Sequence, residues 1–288
     1  MHVEECSLAL LHYYLPEIDK LRRGFGVDIG VGNFDFYCEL FARIGFDTVA
    51  VEPLPTPELV RVCKILNINL IQSCVSDVDG TNTLFIGTFN GSENRNLSSL
   101  RPDWWGASSQ VVQVRSITVD TLLKTIDAGS ITCMKLDVEG VESIIIQQLQ
   151  DIPDSLLPQV VVFEYGGGGT RENGEGSWSE NGINNMIECF RILKKLHYRT
   201  SIRLDSASDS HAQIFDLNEV DLDPETLFSP QSIYGNVICF RNHIPETDWI
   251  EEISSRYKDN NVKPQRSLPK FGILERIKWR MGIRNMDP

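Results

Sequence analysis

A chain of 288 residues with 41% hydrophobic content is long enough to bury one large core with elaborations, and its formal net charge of −13 argues against a general nucleic-acid binder, whose affinity would rest on basic side chains neutralising phosphates. Its seven cysteines are odd in number, scattered and free of any C-x-x-C pair, so they read as reduced thiols of a cytoplasmic protein rather than as disulfides or a zinc site. No cationic start with an apolar stretch and a small-residue cleavage site opens the chain, and no apolar run approaches the roughly 18 residues that a bilayer span needs.

Residues 1–23 read as an N-terminal helix. "GFGVDIG" (24–30) is a short apolar strand ending at glycines, and "DFYCELFARIG" (35–45) is a helix closed by Gly45. "DTVAVEP" (47–53) is a second strand halted by proline, "TPELVRVCKILN" (56–67) a helix, and "INLIQSCVSD" (68–77) a third strand; "VDGTNTLFIG" then turns at Asp79-Gly80 into another extended piece. A helix begins in "ITVDTLLKTI" (117–126), followed by the strand "ITCMKLDVEG" (131–140), the helix "VESIIIQQLQDI" (141–152) and the buried strand "QVVVFEY" (159–165). The glycine-rich, acidic "GGGGTRENGEGSWSENG" (166–182) is a loop, after which come a helix (183–198), the strand "RTSIRLD" and a final strand "SIYGNVICFR" (232–241). This alternation predicts a doubly wound, mostly parallel sheet with helices on both faces, an α/β domain over 24–245.

The loop after the first strand has Gly30 and Gly32 in G-x-G spacing, but Asp35 stands where the third glycine of a dinucleotide fingerprint would be. Asp28 at the strand end disfavours a phosphate and suits a ligand with positive charge and hydroxyls. Glu52, 24 positions on and at the end of the second strand, is placed to accept hydrogen bonds from ribose hydroxyls, and Asp77, read as ending the third strand, to reach an adenine amino group. Three acids at successive strand ends describe S-adenosylmethionine. Its expected bed is Asp28, Gly30, Val31, Gly32, Asn33, Phe34, Glu52, Pro53, Ser76, Asp77 and Asp137.

The blocks "VDIGVGNFDF" (27–36), "VAVEPLP" (49–55), "SCVSDVDGTNTL" (73–84), "SITVDTLLKTI" (116–126) and above all "MKLDVEGVES" (134–143), followed by "VVVFEY", resemble the FkbM-type methyltransferases in content and order. The resemblance implies a class I, Rossmann-like methyltransferase fold of seven strands, one of them antiparallel near the C-terminus. It also implies methylation of a hydroxyl group on a sugar, glycolipid or natural-product acceptor. The chain departs from the family pattern in "SIIIQQLQD" and in the length of its 166–182 loop. The alternatives from other classes are a catalytically inactive nucleoside-binding module and an NAD-dependent oxidoreductase; Asp28 and the missing glycine count against NAD, and the acids Glu52, Asp77 and Asp137 against an inactive module.

Methylating a hydroxyl requires removing its proton, and the acids on offer at the fourth and fifth strand ends are Asp137, Glu139, Glu142 and Glu164. Asp137 and Glu164 face one crevice from adjacent strands, so that one acts as general base or both hold a divalent cation; metal-free base catalysis is the favoured version, with Glu139 as the third candidate. Glu142, on the first turn of a helix, reads as a partner of the helix dipole, Lys135 as pairing on the far side of the sheet from Asp137, and His197 as structural. The 166–182 insertion reads as an active-site lid with Trp178 as its sugar-stacking contact. From Glu251 onward nine Lys or Arg face five Asp or Glu, a net +4 against −17 for residues 1–250. This makes 246–288 a basic tail, its amphipathic stretch 271–283 docking on the acidic body of its own chain or a second subunit, or touching an anionic membrane surface.

Overall fold

Apolar runs that stop at glycine, proline or an acid become the strands of the core, and runs with apolar residues at helical spacing become its covers. The computed structural model describes residues 1–207 and 211–258. In chain order, α1 (Val3–Ile18) leads into β1 (Phe25–Ile29), α2 (Phe36–Ile44), β2 (Asp47–Val51), α3 (Pro57–Leu66) and β3 (Asn69–Ile71). Four strands, β4 (Cys74–Val75), β5 (Gly80–Phe89), β6 (Ser92–Glu93) and β7 (Ala107–Ile117), form a separate small sheet in the order β4-β7-β5-β6. The chain returns through α4 (Val119–Thr125), β8 (Ile131–Leu136), α5 (Glu142–Gln148), β9 (Val160–Gly166), α6 (Glu180–Lys195) and β10 (Thr200–Asp205). It closes with β11 (Gln213–Asp216), α7 (Pro224–Leu227), β12 (Tyr234–Phe240) and α8 (Thr247–Ser255).

The large sheet has eight strands in the order β11-β10-β12-β9-β8-β1-β2-β3. The five from β3 to β9 are mutually parallel, β12 is antiparallel to β9 and β10, and β11 is antiparallel to β10. The expectation of seven strands with one antiparallel is corrected on both counts. The eighth strand, "QIFD", is a half-buried edge of four residues, too short for its alternation to stand out in sequence. The expected third strand over 68–77 is also two pieces. β3 joins the large sheet while β4 pairs in parallel with β7 in the small one, because the chain turns at Gln72-Ser73, where Ser73 N–H donates to the Ile71 carbonyl at 3.0 Å.

Strand side chains alternate between two cores. Val27, Ile29, Met134, Leu136, Val161 and Phe163 pack under α4, α5 and α6, whereas Cys133, Val160, Val162, Ile238 and Phe240 pack under α1, α2 and α8. The N-terminal helix is therefore a layer of the sheet's cover, with Leu10, Leu11 and Leu15 fully buried. Residues 247–255, expected in the basic tail, form α8 and bury Ile250 and Ile253 in the same core. The amphipathic stretch 271–283 lies outside the described residues. All seven cysteines are free and buried, and among the described residues no helix is long and apolar enough to cross a membrane.

Candidate active site

The ends of β1 and β8 meet closely. A Cβ on Gly30 would sit 1.9 Å from the Asp137 carbonyl oxygen, and Gly30 has φ +81°, so both space and backbone demand glycine. Asp28 is 2% exposed, and its Oδ2 accepts from Cys38 N–H at 3.0 Å. It thus caps α2 from the neighbouring strand, while Asp35, the residue in the N-cap position, makes no side-chain cap. Burial pushes the Asp28 carboxyl up to about 7 against the pull of Lys135 and the Cys38 amide. Glu52 is buried at the end of β2, where Oε2 accepts from Gly32 N–H and Oε1 from Leu54 N–H, each at 2.8 Å. A carboxylate has about four acceptor positions, so half of its capacity stays open. Burial raises it above the usual carboxylate range.

The remaining loop residues divide. Val31 is buried in the core between α2 and α3, Pro53 is half-buried, and Asn33 and Phe34 are exposed, with Phe34 stacked on Phe36 at 5.5 Å. Asn33 N–H donates to Asn96 Oδ1 at 2.9 Å, so the segment after β6 reaches across the glycine loop. Ser76 is buried against Ser116 in the small sheet, with its Oγ 2.6 Å from the other hydroxyl. Asp77 is exposed on the turn from β4 to β5, not at the end of β3, because the expected long strand is broken.

At the ends of β8 and β9 the acids gather. Asp137, Glu139, Glu142 and Glu164 line one cleft with Trp104, Ser177 and Asn185, enclosing about 310 Å³, part of it open to solvent. Lys135 and Asp137 are two residues apart and so share a face; Lys135, 1% exposed, places Nζ 3.4 Å from Asp137 Oδ2, which corrects the expectation that it points away. Burial alone would lower this ammonium, but Asp137, Glu4, Glu164 and Asp28 together hold it above the ordinary lysine value. Beneath it, Tyr37 OH donates to Glu4 Oε2 at 2.6 Å, and the buried Asn236, paired with Glu164 across the sheet, donates to Glu4 Oε1 at 3.1 Å.

Glu139 adopts φ +55°, a left-handed backbone uncommon outside glycine, and strain of this kind gathers at functional sites. Its Oε2 accepts from Trp104 Nε1–H at 2.9 Å and its carbonyl from the Ser99 hydroxyl at 2.6 Å. Trp104 lies so close over Gly140 that a Cβ there would meet the ring at 2.4 Å. Glu142 does more than face a helix dipole: its Oε1 accepts from Val138 and Gly140 N–H at 3.2 and 3.3 Å, and its Oε2 from Asn185 Nδ2 at 3.0 Å. Glu164 receives no hydrogen bond from the described residues, and burial, with Asp137 and Glu139 adding like charge, pushes its carboxyl well above the usual range. Burial, Asp137 and Glu142 do the same to Glu139.

The 166–182 segment is tied down by backbone hydrogen bonds and lends Gly166, Ser177 and Gly182 to the cleft wall. Gly167 N–H donates to Ile233, Arg171 N–H to Ser232 and Glu172 N–H to Pro230, and Arg171 forms a two-pronged ion pair with Glu225. Trp178 is 1% exposed, packs edge-on against Tyr165 and Phe228, and donates Nε1–H to the Ile233 carbonyl at 2.8 Å. It is a core residue, and the expectation of a stacking contact at position 178 is corrected. Two aromatic side chains line the cleft, Tyr165 and Trp104, the latter with only the bulky "WW" pair at 104–105 between two extended runs as its signal in sequence. Asn96, Ser177 and Asn185 carry no such signal, being ordinary polar residues brought in by tertiary folding. His197 is exposed at the end of α6, away from the acids.

A search of the curated proteins finds no match to the chain. Among solved structures it is similar to the Burkholderia thailandensis 1,6-didemethyltoxoflavin-N1-methyltransferase with bound 1,6-didemethyltoxoflavin and S-adenosylhomocysteine, at 12% identity and TM-score 0.37 over 82% of this chain and 77% of that one. The methyltransferase domain of a bacterial CtHen1-CN follows, at 11% identity and TM-score 0.34 over 82% and 99%. The plantazolicin methyltransferase BpumL in complex with SAH gives 12% identity and TM-score 0.33 over 83% and 84%. These likenesses are too distant to bear on the site. The Methyltransferase FkbM domain, by contrast, matches residues 25–213, well over half of the length, and the chain belongs to that methyltransferase family.

Proposed function

We propose that this methyltransferase acts on a hydroxyl group of a sugar, glycolipid or natural-product acceptor with S-adenosylmethionine as donor. The observation that carries the reading is the placement of Glu164, without a hydrogen-bond partner among the described residues, beside a lysine-paired Asp137 in one cleft, next to Gly30, where a side chain would meet the Asp137 carbonyl. The residues present fit the donor: Glu52 keeps acceptor positions for a ribose, Gly30 lets the ends of β1 and β8 close up beside it, and Asp28, buried behind the loop, caps α2 and holds the loop in place. Gly32, Asn33, Phe34 and Pro53 edge the bed, whereas the side chains of Val31 and Ser76 are buried away from it and Asp77 sits on the β4–β5 turn. When bound, the donor supplies an electrophilic methyl group on a positively charged sulfur.

The chain's own part is to hold the hydroxyl and take its proton. Asp137, fixed by Lys135, orients the hydroxyl, and Glu164 accepts the proton as the oxygen gains the methyl group. A carboxylate raised by burial is a better base than one in water, and the cost is that it works only above its own raised titration point. Glu139, held by Trp104, shapes the same cleft.

Three measurements test the reading. Calorimetric titration should show S-adenosylhomocysteine binding and no comparable binding of NAD. Asp137→Asn, tested with labelled donor and a glycoside panel, should lower turnover by about 10²-fold, the order expected when a reacting group is mispositioned, with donor affinity little changed. If the affinity falls as far as the turnover, Asp137 belongs to the donor site alone. Turnover should also rise with pH through a value above the ordinary carboxylate range, and Glu164→Gln should abolish that limb.

A further inference from the structure

The cleft at the ends of β8 and β9 holds more carboxyl groups than its own cations and hydrogen-bond donors answer. Glu142 is met by two backbone N–H groups and the Asn185 amide, but Glu139 has one indole N–H, and the single ammonium of Lys135, paired with Asp137, is shared with Glu4, Glu164 and Asp28. Glu164 has no hydrogen-bond partner among the described residues. The Ser177 side chain, 3% exposed, lines the same cleft and its Oγ lacks any partner. A buried hydroxyl without a partner and carboxylates crowded without a cation are both unfavourable, and both are relieved by the same kind of ligand.

Resting on the methyl-transfer reading above, we propose that the acceptor carries a protonated amine beside its hydroxyls, as an amino sugar or other amino polyol does. Its ammonium is received by Glu139 and by the Glu164 oxygen turned from the reacting hydroxyl, and one of its hydroxyls by Ser177. The sulfonium donor does not remove the need, since its net charge of about +1 leaves other carboxyls of this cleft unanswered. An organic ammonium suits the arrangement better than a metal ion because no three His, Cys, Asp or Glu side chains among the described residues are disposed as ligands of one ion. The indole face of Trp104 on the cleft wall suits a sugar ring or a cation equally.

The full chain, saturated with S-adenosylhomocysteine, is titrated with the methyl glycosides of glucosamine, N-acetylglucosamine and glucose, and with two amino polyols without a ring. The aminated probes should bind at least tenfold more tightly than the acetylated or hydroxyl ones. Glu164→Gln should cut that preference to twofold or less while S-adenosylhomocysteine affinity stays unchanged, and Ser177→Ala should weaken the aminated probes while keeping their preference. Thermal melts establish that each variant is folded, and Glu139→Gln serves in place of Glu164→Gln if that one is not. Equal or weaker binding of the amines, no binding by any of them, a preference that survives both glutamine variants, or displacement of the amines by magnesium chloride overturns the inference. Failure to bind S-adenosylhomocysteine at all would instead overturn the methyl-transfer reading.

Discussion

Lys135 is fully buried with its ammonium against Asp137 and over the Tyr37 ring, 5.1 Å from its centroid, and three other carboxylates within electrostatic reach. Removing one partner from a buried ion pair costs about 3–5 kcal/mol, because the remaining charge is stranded. Lys135→Met should lose stability of that order in denaturant melts at pH 8 and less at pH 5, where the stranded carboxyls take up protons. In the parent chain, Lys135 has a raised folded value, so its contribution is constant through neutral pH and is lost only as the pH climbs past the ordinary lysine value of about 10.4. Asp28 has the same sign in a lower window. Its folded value of about 7 lies above the ordinary carboxylate value, so stability contributed by its protonated form is full below about pH 4 and lost as pH rises to about 7. Asp28→Asn, which keeps an oxygen for the Cys38 amide, should be more stable than the parent at pH 8 and no more stable at pH 4. Glu52→Ala should weaken S-adenosylhomocysteine binding by about 1–3 kcal/mol, since it removes the ribose acceptor and releases the Gly32 and Leu54 amides together. An unchanged calorimetric affinity would remove Glu52 from the donor site.

Among the elements, the parallel half of the large sheet was legible because each strand is an apolar run with a definite stop: glycine after β1, proline after β2, an acid after β8. The glycine loop, Glu52 and the Asp137–Glu164 pair followed from that, since strand ends place them. The small sheet was not legible. β7 alternates apolar and polar residues over "VVQVRSI", and nothing in such a pattern says which strand it will pair with. The side-chain direction of Lys135 was within reach of simple alternation, whereas the burial of Trp178 depends on Phe228 and Ile233, some 50 or more residues away. The two tryptophans should separate cleanly on mutation. Trp178→Ala should cost about 3–5 kcal/mol in melts, the range for a buried large aromatic, with donor binding intact in the folded fraction. Trp104→Ala, at a half-buried wall, should cost less stability and show its main effect as a raised acceptor KM in labelled-donor assays.

Across the whole molecule, charge is shared unevenly. Residues 259–288 hold seven Lys or Arg and three Asp or Glu, a net +4 against −17 for the rest of the chain. A chain ending at Lys258 should therefore melt lower than the whole chain at low salt, and the gap should close as salt screens the attraction; a gap that ignores salt would count against docking by charge. The segment from Asn94 to Gly106 joins the small sheet to both halves of the site, through Asn96 on the glycine loop and through Ser99 and Trp104 on the β8–α5 loop. At Asn96 that strap is fastened to Asn33 by one hydrogen bond of about 1 kcal/mol, close to a fivefold factor in a rate. A fastening of this size over a binding bed acts on residence time: it slows arrival and departure alike and leaves the balance between them nearly untouched. Stopped-flow traces of Asn96→Ala should accordingly show S-adenosylhomocysteine coming and going about five times faster at an almost unaltered Kd, so the spent donor's dwell on the enzyme is set by a side chain from a different sheet.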